Sequence, residues 1–146
     1  MKIAYQGIAG SYSESCAKEK YPDCETIPCK TFDDCFEKAN QDSLVRAIIP
    51  ESNKTTGNIG VEYLIFKYRL NIYAEHFFPI NHNLLGLKDS KIEDIKDVYS
   101  HAQALSQSSN FIKKKKFIEN VRADTAGSAK FVSKTKDKSK AAIASS

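Results

Sequence analysis

The first half of the chain alternates short apolar runs with longer amphipathic ones, and that order leaves few folds open. Lys2–Gln6, Thr26–Cys29 and Val45–Ile49 read as strands. The turn from Gly7 to Ser13 opens a helix to about Lys20, Thr31 opens a second, and Ile59–Tyr68 reads as a third. In the second helix Phe32, Cys35, Phe36 and Ala39 share one face, and Asp34 stands three positions after Thr31. That spacing suits a capping box, in which a hydroxyl and a carboxylate each satisfy an orphan backbone N–H. A β-α-β-α-β-α order predicts α/β architecture, with a parallel or mixed sheet flanked by helices.

After Asn71 the pattern changes. Ile72–Leu87 is partly alternating, carries Pro79, and is expected to be extended chain crossing into a second lobe. Val98–Ser100 reads as a strand, and a helix opened by His101 is expected to run to the lysines Lys113–Lys116. Phe117–Val121 is a strand, Asp124 can cap a helix from Thr125 to about Val132, and Ala141–Ser145 is a closing strand. Two lobes are expected, Met1–Tyr73 and Ala74–Ser146.

Four times, glycine, hydroxyl or amide residues stand where a strand hands over to a helix: Gly10–Ser13, Asn53–Gly57, Ser100–Gln103 and Thr125–Ser128. Each alone is an ordinary N-cap. Together they predict a cleft rich in neutral donors, because free N–H groups at helix starts and the helix dipole favour an anion. In open α/β sheets such sites lie beyond the carboxyl ends of the strands.

Charge narrows the partners. Twenty-two basic and 18 acidic residues leave a net charge of +4, which suits a small anionic ligand and is no nucleic-acid signature. Lys113–Lys116 is read as a solvated helix end complementing the dipole, since no aromatics interleave it. No apolar run reaches the length of a membrane span, and Met1–Gly7 is too poor in apolar residues for a signal peptide, so a cytoplasmic location is expected. Cys16, Cys24, Cys29 and Cys35 form no Cys-x-x-Cys pair and have no histidine nearby, so they are read as reduced packing thiols rather than zinc ligands. His76 and His82 are read as packing or surface groups, and His101 as a structural hydrogen-bonding residue at a turn.

These segments, taken in order, resemble the prephenate dehydratase family, which converts prephenate to phenylpyruvate in phenylalanine biosynthesis. Gly7-Ile8-Ala9-Gly10-Ser11-Tyr12-Ser13 is similar to the family's Gly-Pro-x-Gly-Thr-Phe-Ser. Pro50-Glu51-Ser52-Asn53-Lys54-Thr55-Thr56-Gly57 resembles Pro-Ile-Glu-Asn-Ser-x-x-Gly, with Ser52 and Lys54 as departures. Ala74-Glu75 followed by Ile80-Asn81-His82-Asn83-Leu84-Leu85 resembles Gly-Glu and then Ile-x-His-x-Leu-Leu. Ser100-His101-Ala102-Gln103-Ala104-Leu105-Ser106-Gln107 resembles Ser-His-Pro-Gln-Ala-Leu-x-Gln, and Thr125-Ala126-Gly127-Ser128-Ala129 resembles Thr-Ala-x-Ala-Ala.

The resemblance implies a two-lobe architecture like that of type II periplasmic binding proteins, with the active site between the lobes and a homodimer or larger assembly. It implies substrate-binding roles for Asn53, Thr55, Ser100, Gln103, Gln107, Thr125 and Ala126. The reaction expels carbon dioxide and a ring hydroxyl while the ring becomes aromatic, so no cofactor and no metal are expected. The enzyme holds two carboxylates, keeps the ring in a reactive geometry and protonates the departing hydroxyl. The family's proton donor is the threonine of a Thr-Arg-Phe motif, on a segment that returns to the first lobe. No Thr-Arg-Phe occurs in these 146 residues, so no catalytic residue is assigned. The expectation is a prephenate dehydratase-like lyase, with a non-catalytic binder of a small carboxylate as the alternative. No nucleic-acid or membrane partner is expected.

Overall fold

A computed structural model describes residues 1–53 and 57–145, with Asn53 described by its backbone alone. The chain is α/β and divides into two compact units, Met1–Pro79 and Ile80–Ser146.

In the first unit, β1 (Lys2–Gln6) lies between β2 (Glu25–Cys29) and β3 (Val45–Ile48), and both pairings are parallel. Its central place explains its sequence: Ile3, Ala4 and Tyr5 are all buried, as a strand covered on both faces requires. Helix α1 (Tyr12–Lys20) connects β1 to β2, and α2 (Phe32–Gln41) connects β2 to β3. Ala4, Cys29, Cys35 and Val45 form one core cluster on the α2 side. The capping box of α2 is present: Thr31 Oγ1 accepts from Asp34 N, and Asp34 Oδ2 accepts from Thr31 N. Pro28 sits in β2, a strand hydrogen-bonded only to β1 among the described residues, where its missing N–H breaks no ladder on the outer side.

Two expectations for this unit are corrected. The chain after β3 does not open a helix at Asn53–Gly57. It forms a short antiparallel pair, β4 (Ser52–Asn53) with β5 (Gly57–Asn58). Helix α3 is only Glu62–Tyr68, and its N-cap Val61 makes no side-chain cap bond. The cause is backbone geometry: Gly57 (φ 72°) and Gly60 (φ 77°) lie in the left-handed region, where they turn the chain and interrupt any helix starting at Ile59. The boundary between units also falls after Pro79 rather than Tyr73. The segment expected to cross over is tied to the first unit: Lys20 Nζ donates to Glu75 O (2.9 Å), His76 Nε2 meets Glu19 Oε1 (2.9 Å), and Phe78 packs edge-on against Tyr12.

The second unit is a four-stranded mixed sheet in the order β6–β9–β7–β8. Strands β7 (Asp97–Ser100), β8 (Ile118–Val121) and β9 (Lys140–Ala144) run parallel, and β6 (Asn83–Gly86) is antiparallel to β9. The alanine-rich β9 lies between two neighbours with Ala141 and Ala142 at 0% exposure. Ile95, Val98, Ala104, Leu105, Ile112, Phe117, Ala141 and Ile143 make the core, each large side chain contributing about 1.5–3 kcal/mol on burial. The expected single helix from His101 to the lysines is two helices, α4 (Ala102–Gln107) and α5 (Ser109–Lys115), broken at Ser108. The run Ser106-Gln107-Ser108-Ser109-Asn110 explains the break, since serine and asparagine compete with helical hydrogen bonds through their own side chains. Lys113, Lys114 and Lys115 occupy the last turn of α5, where positive charge complements the dipole. No helix among the described residues is long and apolar enough to cross a membrane.

Candidate functional site

In the second unit, three parallel strands end together: β7 at Ser100, β8 at Val121 and β9 at Ala144. Two helices begin at that edge. His101 caps α4, its Nδ1 accepting from Gln103 N (3.3 Å). Asp124 caps α6 (Thr125–Lys134), its Oδ1 accepting from Gly127 N, while Ser128 Oγ donates to Asp124 O (2.7 Å). Asn83 pairs with Ala144, so His82 stands at the same edge.

The sequence-derived residues of this unit therefore gather at one end of one sheet, in different states. Ser100 is fully buried, and its hydroxyl donates to Ile143 O (2.5 Å), while Ser100 O accepts from Arg122 N (2.8 Å). It ties β7 to β9 and to the exit of β8. Thr125 is half-buried in the first turn of α6, and Ala126 is buried behind it. Gln103 is half-buried on α4. Gln107 is half-buried and joined to His82, with Gln107 Oε1 and His82 Nε2 2.6 Å apart. His82 was expected to be a packing or surface group; instead its ring engages one of the candidate ligand-holding amides.

In the first unit, the glycine turn after β1 is held by a carboxylate. Gly7 (φ 124°) and Gly10 (φ 86°) allow the bend, and Ser11 caps α1 by accepting from Glu14 N (3.4 Å). Glu14 is 8% exposed and accepts from Gly10 N (2.7 Å), Lys18 Nζ (2.9 Å) and Thr26 Oγ1 (3.0 Å). The Lys18 bond, followed by the Gly10 N–H, holds its carboxyl below the usual carboxylate range. Burial, and then the Glu14 charge, push the Tyr5 hydroxyl up. Glu14 was not singled out from the sequence, although Ser11-Tyr12-Ser13-Glu14 carries the spacing that could have found it. Asn53 is placed by its backbone in the antiparallel β4–β5 pair, opposite Gly57, and not at a helix start. Thr55 lies outside the described residues.

Cys29 and Cys35 are buried in the first core, and Cys16 and Cys24 are half-buried. Burial pushes the Cys35 thiol well up, so it stays protonated. Among the described residues no three His, Cys, Asp or Glu side chains gather as a metal ion would require.

Comparison with known proteins places this geometry in a family. The family model for prephenate dehydratase matches residues 3–146. Arogenate dehydratase 2 of Petunia hybrida is 41% identical over 146 residues, a match covering 99% of this chain and 37% of that protein. The chloroplastic arogenate dehydratase/prephenate dehydratase 2 of Arabidopsis thaliana is 38% identical, covering 99% of this chain and 38% of that protein. The chain thus spans well under half the length of these relatives. Among solved structures, one described as GqqA, a novel type of quorum quenching acylase, has a TM-score of 0.88 at 29% identity, covering 100% of this chain and 54% of that one. The prephenate dehydratase of Arthrobacter aurescens in complex with L-Phe has a TM-score of 0.88 at 20% identity, covering 99% and 50%, and shares the fold. With a family model spanning nearly its whole length, the chain belongs to the prephenate dehydratase family.

Proposed function

We propose that this chain serves the decarboxylating dehydration of prephenate, or of its amine analogue arogenate, in phenylalanine biosynthesis. The observation that carries the reading is the convergence of Gln103, Gln107 and Thr125 with the strand ends at Ser100, Val121 and Ala144. These groups are neutral donors. They can hold carboxylates without the strong ion pairing that would oppose loss of carbon dioxide, and they leave aromatisation to supply the driving force. In this reading Asn53 and Thr55 are the first unit's own ligand-holding groups, and the buried Ala126 keeps the start of α6 closely packed in the second. Ser100 acts by fixing the strand ends, its hydroxyl being given to Ile143 O. The two-lobe, periplasmic-binding-protein-like architecture, the homodimer and the cytoplasmic location belong to the same proposal; light scattering and cell fractionation check the last two.

Purified chain incubated with prephenate tests it directly. Phenylpyruvate above the uncatalysed rate supports the lyase reading. Saturable binding without turnover favours the alternative, a non-catalytic binder of a small carboxylate. Neither binding nor turnover overturns both. An acylase activity is less well supported: the buried serine at the strand ends donates its hydroxyl to a backbone carbonyl and is not poised as a nucleophile.

A further inference from the structure

The pair His82–Gln107 carries an inference beyond the roles given above. Their side chains belong to different elements, the residue before β6 and the last residue of α4, and meet at 2.6 Å in a part-buried contact. The Gln107 atom that faces His82 Nε2 is the amide oxygen, an acceptor, so the contact is a hydrogen bond in the Nε2–H tautomer of His82. A carboxamide on a helix end rotates freely; one whose oxygen is fixed has its NH2 group aimed in one direction. Asn83 is paired to Ala144 in the β6–β9 ladder, so the residue beside the imidazole is anchored where β9 ends.

We propose that His82 is a positioning residue for substrate: it holds Gln107 Oε1 and so presents the Gln107 NH2 as a preoriented donor to a carboxylate or hydroxyl oxygen of the ligand. This rests on the reading of Gln107 as a ligand-holding group. His82 touches no ligand itself and works through Gln107, so the two side chains act as one unit.

The test is a double-mutant cycle on the full chain, with prephenate affinity read by calorimetric titration and the His82 tautomer read by ring 15N shifts. H82A and Q107A are each expected to weaken binding about five- to tenfold, the loss of one oriented hydrogen bond. H82A/Q107A is expected to lose no more than Q107A alone, and H82Q, whose amide nitrogen has about the reach of Nε2, to recover most of the loss. The free protein is expected to show neutral His82 as the Nε2–H tautomer. Additive losses, or an Nδ1–H tautomer, would overturn the positioning role while leaving the ligand site intact. Wild-type binding unaffected by Q107A would instead sink the reading of Gln107 on which the proposal stands.

Discussion

Removing the Glu14 carboxylate tests how the first unit holds its glycine turn. In Glu14→Ala three donors lose their acceptor, and they do not weigh equally. Lys18 is 55% exposed on its side chain and returns to water, so its share is that of a surface pair, about 0.5 kcal/mol. Gly10 is exposed and water can satisfy its N–H, whereas Thr26 is half-buried beside the sheet. Hydrogen bonds to charged groups contribute about 1.5–3 kcal/mol each, and partial rehydration lowers the sum to about 2–3 kcal/mol. Glu14→Gln keeps one acceptor oxygen and should lose about 1–2 kcal/mol. Urea unfolding is the assay, with near-UV circular dichroism as the signal: Tyr5, Tyr12, Tyr21, Tyr63, Tyr68 and Tyr73 lie in the first unit and only Tyr99 in the second. With m near 1–2 kcal/mol/M, the midpoint for Glu14→Ala should fall by about 1–3 M.

The pH dependence follows from the direction of the shift. Glu14 has its folded-state pKa lowered, first by Lys18 and then by the Gly10 N–H. Its contribution is complete above the unfolded-state value near 4.3 and is lost as pH falls through the lower folded value. The gap between wild type and Glu14→Gln is therefore widest near neutrality and closes below about pH 4. A gap of under about 0.3 kcal/mol at pH 7, or one unchanged down to pH 3, would refute the role given to Glu14.

Three further outcomes follow from the structure. Asp124→Ala removes the N-cap of α6 and should cost about 1 kcal/mol, with hydrogen exchange at Gly127 N rising more than at β7 amides. Ala142→Val overpacks a strand residue at 0% exposure between β6 and β7, and should lower stability by about 1–3 kcal/mol in thermal unfolding followed by far-UV dichroism. Cys35, buried and held protonated, should resist a thiol reagent in the native protein and react only on unfolding, while the half-buried Cys16 and Cys24 react sooner.

Elements whose signal is local were legible in the sequence. Thr31 with Asp34, and Asp124 before Thr125, mark helix starts by residue type and spacing alone, and both caps form as expected. The run Ala141–Ala144 reads as a strand and is one, its small side chains matching a position enclosed on both sides. What failed depended on backbone or long-range contacts. The apolar period from Ile59 suggested a longer helix, but the left-handed conformations of Gly57 and Gly60 decide the outcome. His82 looked unremarkable because its partner lies on α4, a contact that no local pattern encodes. The gathering of Ser100, Gln103, Gln107 and Thr125 at one sheet edge was foreseeable from strands followed by polar helix starts. That Ser100 would spend its hydroxyl on Ile143 was not, since it depends on β9 lying beside β7.

The central claim, that this chain holds a prephenate-type ligand with neutral donors, is tested most directly by calorimetric titration of the purified protein with prephenate. The account predicts saturable heat that weakens about five- to tenfold in Gln107→Ala. Absence of heat at millimolar prephenate, in protein shown to be folded by its dichroism, would contradict it.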